Sequence, residues 1–324
     1  MWGSTIIIGL VLFAIFAVFA GKDILVAKKN SFRYHWKDCA ASYLMLAPAV
    51  VLAFIFVLLP IIYSLGYAFT DFYLLKPNAI KFNGLKNFEE MFKSISSKGD
   101  MYHAIINTAK FVVGVVPLQI GLALGLALFV NNTRKFTGVF KVCYFAPVVI
   151  SLTVTSYLWL QILSPSETGL LNTILKVFNI PAKDFLRDKD TAMPCIVLLS
   201  AWQGCGYQML IFLSGLTNVR KELYEAAALD GAGVWQQFLN ITVPGLRSTF
   251  LFIVITVFVG ACRVMVQPML MTGYQSHTVT LSYYMYLQGY TYRWVGYSSA
   301  IALLMTVVMG TITLIQRKFL REKD

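Results

Sequence analysis

The sequence is poor in charge. Asp, Glu, Lys and Arg make up 13% of its 324 residues, against 58% hydrophobic residues, where a soluble domain carries about 25% charged residues. A water-soluble globule cannot cover so much apolar surface, so lipid is the expected solvent. Acidic residues are scarcest, 15 against 27 Lys and Arg, for a net charge of +12. The basic residues sit in short stretches between apolar segments. That is the pattern of membrane topology, and no nucleic-acid partner is expected. The histidines, His35, His103 and His277, lie far apart without ligand spacing, and no metal is expected. Cys39, Cys143, Cys195, Cys205 and Cys262 form no CxxC or Cys/His cluster, so they read as small hydrophobes rather than zinc or redox ligands. No G-x-x-x-x-G-K-[ST] occurs, so no loop of this chain cradles ATP phosphates. The sequence shows no internal repeat, no low-complexity linker and no soluble domain.

What is abundant is apolar sequence in blocks. A helix needs about 20 apolar residues to cross the hydrocarbon. Seven segments qualify: 4–20, 43–69, 104–130, 142–163, 192–216, 248–268 and 297–316. Pro48 and Pro60 predict a kink in the second. Lys22, Lys28, Lys29, Arg33 and Lys37 follow the first segment. Arg134, Lys135 and Lys141 follow the third, Arg220, Lys221 and Arg247 the fifth, and Arg317, Lys318, Arg321 and Lys323 the last. Every second connection is therefore basic and is placed in the cytoplasm. The connections 70–103, 164–191 and 269–296 hold ten Lys or Arg against eight Asp or Glu and are placed outside. The expected class is an all-α integral membrane protein with about seven transmembrane helices, its N-terminus outside and its C-terminus inside. Val18-Phe19-Ala20 would suit a signal peptidase, but positive charge follows the first apolar run and none precedes it. That is the order of a retained anchor. The expected units are 1–41, an extra N-terminal helix with a basic linker, and 42–324, the transmembrane domain.

The most informative stretch lies on the cytoplasmic side, between the fifth and sixth segments. Residues 223–244 read LYEAAALDGAGVWQQFLNITVP. The alanine-rich 224–229 predicts a short helix, Gly231 and Gly233 a turn, and 234–240 a second helix. Trp235, Phe238, Leu239 and Ile241 supply an apolar face, and Pro244 suits the entry to the next span. Paired short helices with a small Ala/Gly surface form a docking knob.

The stretch resembles the EAA motif of permease subunits in binding-protein-dependent ABC importers: Glu-Ala-Ala, three residues, Gly, nine residues, then Ile-x-Leu-Pro. Here it is Glu225-Ala226-Ala227, Gly231 and Ile241-Thr242-Val243-Pro244, with only Val243 departing from the pattern. The likeness covers about residues 40–320 and points to the carbohydrate-uptake branch, of maltose or sn-glycerol-phosphate type. It rests further on Leu46-Ala47-Pro48, Leu59-Pro60, Phe69-Thr70-Asp71-Phe72, the run from Phe82-Asn83-Gly84 to Asn87-Phe88, and Met271-Thr272-Gly273. The family's usual Gly-Pro after the last of these is replaced by Tyr274-Gln275-Ser276, and the first helix is extra to a six-helix core. The resemblance implies a multi-pass subunit of the bacterial plasma membrane that carries no cofactor, with ATP and Mg bound by separate cytoplasmic ATP-binding subunits. It also implies a second homologous permease and an extracytoplasmic solute-binding protein. The loop 217–247 would couple to the ATPase through Glu225, Ala226, Ala227, Asp230, Gly231, Ile241 and Pro244.

The pathway is sought among polar residues inside the bilayer, where charge is costly and marks function. Arg263 and Gln267 read as one helical face, four residues apart. Gln203 and Tyr207 share a face of the fifth segment, and the fourth offers Trp159 and Gln161. Aromatic faces and amides together suit a sugar. Membrane Gln and Trp also bond between helices or sit at interfaces, and Arg263 can pair with a backbone carbonyl or a partner permease instead. Tyr283, Tyr284 and Tyr286, with Tyr290, Tyr292 and Trp294, read as an aromatic belt or a docking surface for a binding protein. A channel or secondary transporter would explain the spans but not the loop 223–244, and a glycerol-phosphate importer would explain Arg263. A membrane-embedded enzyme would need clustered acids or histidines, which the spans lack.

Overall fold

The computed structural model describes residues 36–132, 136–166 and 169–320. The apolar segment 4–20, Lys22, Lys28, Lys29, Arg33, Arg134, Lys135, Arg321 and Lys323 lie outside the described residues. The described chain is all-α apart from two isolated β-bridges. Its elements are α1 (Trp36–Ala53), α2 (Leu59–Tyr67), α3 (Lys86–Ser96), α4 (Asp100–Asn132), α5 (Thr137–Val149), α6 (Leu152–Ile162) and α7 (Leu170–Val177). They continue with α8 (Ala192–Asn218), α9 (Lys221–Leu229), α10 (Val234–Gln237), α11 (Arg247–Cys262), α12 (Val266–Met271), α13 (Leu281–Tyr286) and α14 (Val295–Leu320). Among the described residues, four continuous stretches are long and apolar enough to cross a membrane: Ala41–Tyr67, Asp100–Asn132, Ala192–Asn218 and Val295–Lys318. Two bent pairs raise the number to six.

The long helices α4 and α8 pack on each other and carry two apolar clusters. Phe111 and Val115 meet Met193, Ile196 and Leu199 in one. In the other, Ile120, Ala123 and Ala127 meet Met209 and Phe212, joined by Ile253 and Val257 of α11. The 120, 123, 127, 130 spacing is one helical face. In lipid, helix association rests on close packing more than on apolar transfer, and small residues permit it. A Cβ at Gly206 of α8 would overlap the Tyr144 carbonyl of α5, and one at Gly215 would stand 2.5 Å from Thr249 Oγ1 of α11. A third cluster joins Ala68, Met91, Met101 and Ala104 to Tyr283, Tyr284 and Ile301. The expected aromatic belt is thus split. Tyr283 and Tyr284 are core residues, while Tyr290, Tyr292 and Trp294 remain exposed.

Two segments that read as continuous crossings are broken. Between α5 and α6 the chain turns by 96°. Pro147 removes a helical N–H, and Ile150 and Ser151 are extended. In the sixth segment α11 stops at Cys262, well short of residue 268, and α12 begins only at Val266. Backbone carbonyls freed within the hydrocarbon need partners. Thr280 Oγ1 donates to the Val264 carbonyl at 2.6 Å and Ser282 Oγ to that of Cys262 at 3.4 Å. The irregularity expected near Pro48 and Pro60 is a wide turn, Phe54–Leu58, just before Pro60. In the loop 164–191, Asn172 Nδ2 donates to the Ser164 and Lys183 carbonyls, and Lys183 pairs with Asp188 at 2.7 Å.

Candidate coupling loop and translocation face

The loop between α8 and α11 is built from its glycines outward. The alanine run sustains α9 to Leu229. Gly231, at φ +79°, ends it. The amides of Asp230, Gly231 and Ala232 donate to the carbonyls of Ala226, Ala228 and Ala227 at 3.0, 3.1 and 2.8 Å, closing off the helix end. Apart from its chain neighbours, no heavy atom of the described residues lies within 4 Å of a Cβ built at Gly231, so the demand for glycine comes from the backbone rather than from packing. A left-handed L-residue costs about 1–2 kcal/mol. At the start of α10 the Gly233 amide donates to Gln236 Oε1 at 2.8 Å, and Gln237 Nε2 donates to the Ala232 carbonyl at 3.0 Å. A wide turn, Phe238–Thr242, then leads back toward α11. The Tyr224 and Thr242 hydroxyls, 2.9 Å apart, tie the two arms.

This knob presents apolar side chains to solvent. Leu229 is 90% exposed, Val234 83% and Trp235 75%, and the Trp235 ring meets Phe238 edge-on at 5.8 Å. Glu225, Ala226, Asp230, Gly231 and Pro244 are exposed, and Ala227 and Ile241 half-buried. A cavity of about 810 Å³ separates the knob from the ends of α4 and α8, with Leu128, Asn131, Leu216, Tyr224, Trp235 and Phe238 among its walls.

The polar residues expected along a pathway divide into two groups. Gln203 is buried. Its Nε2 donates to the Ile150 carbonyl at 3.2 Å and to Thr155 Oγ1 at 3.3 Å, so it bonds the break between α5 and α6. Its Oε1 is buried without a partner among the described residues. Tyr207 and Gln161 are exposed, and Trp159 is half-buried with its ring 6.0 Å from that of exposed Trp202. Arg263 is exposed at the end of α11. It does not share a helical face with Gln267, which is half-buried in α12, because the helix ends between them.

Sequence reading placed Gln208 and Tyr207 near the path but missed what each belongs to. Gln119 Nε2 of α4 donates to Gln208 Oε1 of α8 at 3.0 Å in the core. A groove of about 530 Å³ between α8 and α11 is lined by Tyr207, Ser214, Asn218, Ser248 and Thr249. The 207, 211, 214, 218 spacing marks that face as one helical stripe, a signal available in the sequence.

Comparison with known proteins bears on these features. Residues 118–323 match the family model described as "Binding-protein-dependent transport system inner membrane component". The chain is 34% identical over 285 residues to "Probable ABC transporter permease protein YurN" of Bacillus subtilis (strain 168), covering 86% of this chain and 95% of the relative. It is 32% identical over 292 residues to "Arabinooligosaccharides transport system permease protein AraP" of the same organism, covering 87% and 91%. Its fold is shared with a chain of a bacterial ABC transporter involved in the import of the acidic polysaccharide alginate. That likeness has a TM-score of 0.76 at 23% identity and covers 88% of this chain and 98% of that one.

Proposed function

Because the chain belongs to the family of binding-protein-dependent transport system inner membrane components, we propose that it forms half of the translocation path of an ATP-driven oligosaccharide importer. It is a multi-pass inner-membrane permease component. It is not itself an ATPase and carries no cofactor, since ATP is bound by a partner ATPase. The observation that carries the coupling role is the knob, whose exposed Leu229, Val234 and Trp235 need an apolar groove to cover them. The groove belongs to a cytoplasmic ATPase, and Glu225, Ala226, Ala227, Asp230, Gly231, Ile241 and Pro244 form the seat. A second homologous permease completes the path, and an extracytoplasmic solute-binding protein delivers the solute. Six crossings form the core, and 4–20 adds a seventh.

Nucleotide-driven closure of the ATPases moves the knob, and the span that follows it converts that motion into opening on one side. The oligosaccharide reading is supported by the likeness to AraP over 91% of that protein's length. It is also supported by the rings and amides of exposed Gln161 and Tyr207 and half-buried Trp159 and Gln267, with exposed Arg263 and buried Gln203. The test is uptake by the complete transporter in proteoliposomes, comparing radiolabelled arabinotriose with sn-glycerol 3-phosphate. ATP-dependent uptake of the trisaccharide supports the reading. Uptake of the phosphate ester alone would assign Arg263 to an anionic solute and overturn it.

A further inference from the structure

A second cavity of about 810 Å³ opens at the end of the bundle opposite the knob, where α2 ends and α14 begins. Its volume falls within the roughly 300–1,000 Å³ of small-molecule sites. The walls are held in place by backbone. The Gly296 amide donates to the Phe72 carbonyl at 3.0 Å, that of Leu74 to Arg293 at 2.9 Å, and that of Trp294 to Gln288 at 2.8 Å. Tyr73 and Trp294 form an antiparallel bridge. A Cβ at Gly296 would overlap the Thr70 carbonyl, so only glycine allows this approach. Buried Asn87 donates through Nδ2 to the Ala68 and Thr70 carbonyls, both at 2.9 Å. The cavity is therefore preformed.

Its chemistry is mixed in a particular way. The Trp294 ring is half exposed and lies 4.8 Å from the Tyr73 ring at an interplanar angle of 41°. Together the rings offer two inclined aromatic faces. Around them stand Asp71, Glu90, Gln288 and Lys86. Asn83 also lines the space, and its Oδ1 is buried with no partner among the described residues. A buried acceptor left open is costly and invites a donor. Two carboxylates, Asp71 and Glu90, are balanced by Lys76 and Lys86, so no net charge selects an ionic ligand. Among the described residues no group of three acidic, His or Cys ligands could hold a metal ion. Inclined rings for C–H faces, with amides and carboxylates for hydroxyls, match a neutral sugar.

We propose that this cavity is an outer saccharide site that holds one end of a neutral oligosaccharide at the mouth of the path. The proposal rests on the oligosaccharide reading above. Trp294 and Tyr73 would stack on a sugar ring, while Glu90, Gln288 and Asn83 Oδ1 exchange hydrogen bonds with its hydroxyls. None of these residues belongs to the knob or to the polar residues deeper in the spans.

The test uses the complete transporter in lipid nanodiscs without solute-binding protein, with arabinotriose and lactose as probes. Binding is read by saturation-transfer NMR from protein aromatic protons to sugar C–H protons. Trp294→Ala is expected to weaken binding roughly three- to tenfold. Because Trp294 also supports Tyr73, Glu90→Ala on the exposed face of α3 is the second variant, expected to weaken binding about fivefold. In uptake assays both should raise KM and leave the maximal rate and basal ATPase unchanged. No transfer to either sugar in the unsubstituted transporter overturns the site, as does binding indifferent to both substitutions. Weakened affinity for the solute-binding protein with unchanged sugar binding makes the cavity a protein-docking surface and also overturns it. Normal sugar uptake alongside any of these results leaves the oligosaccharide reading standing. Import of sn-glycerol 3-phosphate alone fails that reading instead.

Discussion

The Tyr224 hydroxyl stands 2.9 Å from Thr242 Oγ1, joining the helix that begins the coupling knob to the wide turn that ends it. Thr242 is buried. Removing its partner leaves a buried hydroxyl unpaired, at about 1–3 kcal/mol. The knob would then still form, but its arms would move independently. Tyr224→Phe should leave insertion and assembly near normal and lower the number of sugars imported per ATP hydrolysed. Thr242→Val should do the same, and the double substitution should be no worse than either alone. Additive losses in this cycle would show that the hydrogen bond does not transmit force.

Gly231 separates a backbone demand from a docking demand. Its φ is +79°, and the space around it is open in the isolated chain. Asn tolerates the left-handed region, and β-branched residues do not. Gly231→Val should therefore uncouple transport by straining the knob. If the knob seats closely in an ATPase groove, Gly231→Asn and Gly231→Asp should uncouple it as well, despite a satisfied backbone. Normal uptake with Asn would restrict the role of Gly231 to the turn.

The sidedness of the described residues follows from the same loop. A knob on the cytoplasmic side predicts that the segment around Asn179 lies outside, one crossing away. Alkaline phosphatase fused after residue 179 should be active, and fused after residue 236 it should be inactive. A fusion ahead of 4–20 should be active if that segment crosses as the charge pattern implies. An inactive one would place the N-terminus in the cytoplasm and remove the seventh crossing.

Lys183 donates to Asp188 and holds its carboxyl below the usual carboxylate range, aided by the Asp190 amide. A depressed folded value means that the pair supports the loop 164–191 above the ordinary value of about 3.9. The support is lost as pH falls through the folded value. In proteoliposomes the loop should resist pepsin at pH 5 and be nicked progressively at lower pH. Asp188→Asn should flatten that dependence. An unchanged profile in this variant would mean that another group governs the loop.

Apolar blocks located every described span, because hydropathy is a local property of the chain. The breaks are not local. Residues 142–163 contain Pro147 but also enough Val, Ile and Leu to read as one helix. The carbonyl freed at Ile150 is satisfied by Gln203, more than fifty residues away in sequence. Nothing at Cys262 announces the end of α11, where the carbonyls of Cys262 and Val264 meet Ser282 of α13 and Thr280 just ahead of it. The same non-locality took Tyr283 and Tyr284 from an interfacial belt into the core. The knob was legible because its parts, the alanine run, Gly231, Gly233 and Pro244, act within a few residues of one another.

Gln203 and Arg263 are both polar residues of membrane segments, and their surroundings predict opposite phenotypes. Gln203 is buried and bonded to Ile150 and Thr155. Replacing it with Leu frees a carbonyl at a break inside the bundle, at about 1–3 kcal/mol. The expected result for Gln203→Leu is a lower melting temperature and lower complex yield, with KM for sugar unchanged in the fraction that assembles. Arg263 is exposed at the end of α11. A charge at that depth needs a water-filled path or a partner subunit. Arg263→Ala should leave the yield of this subunit alone and lower uptake. Because the helix ends before Gln267, the two side chains do not act from one face. The double variant Arg263→Ala with Gln267→Ala should therefore be close to the product of the single effects. Purification of the full complex and uptake on the same preparation decide the matter. If Arg263→Ala loses the second permease in proportion to its loss of transport, the guanidinium is an interface group. If assembly holds while uptake falls, it faces the solute.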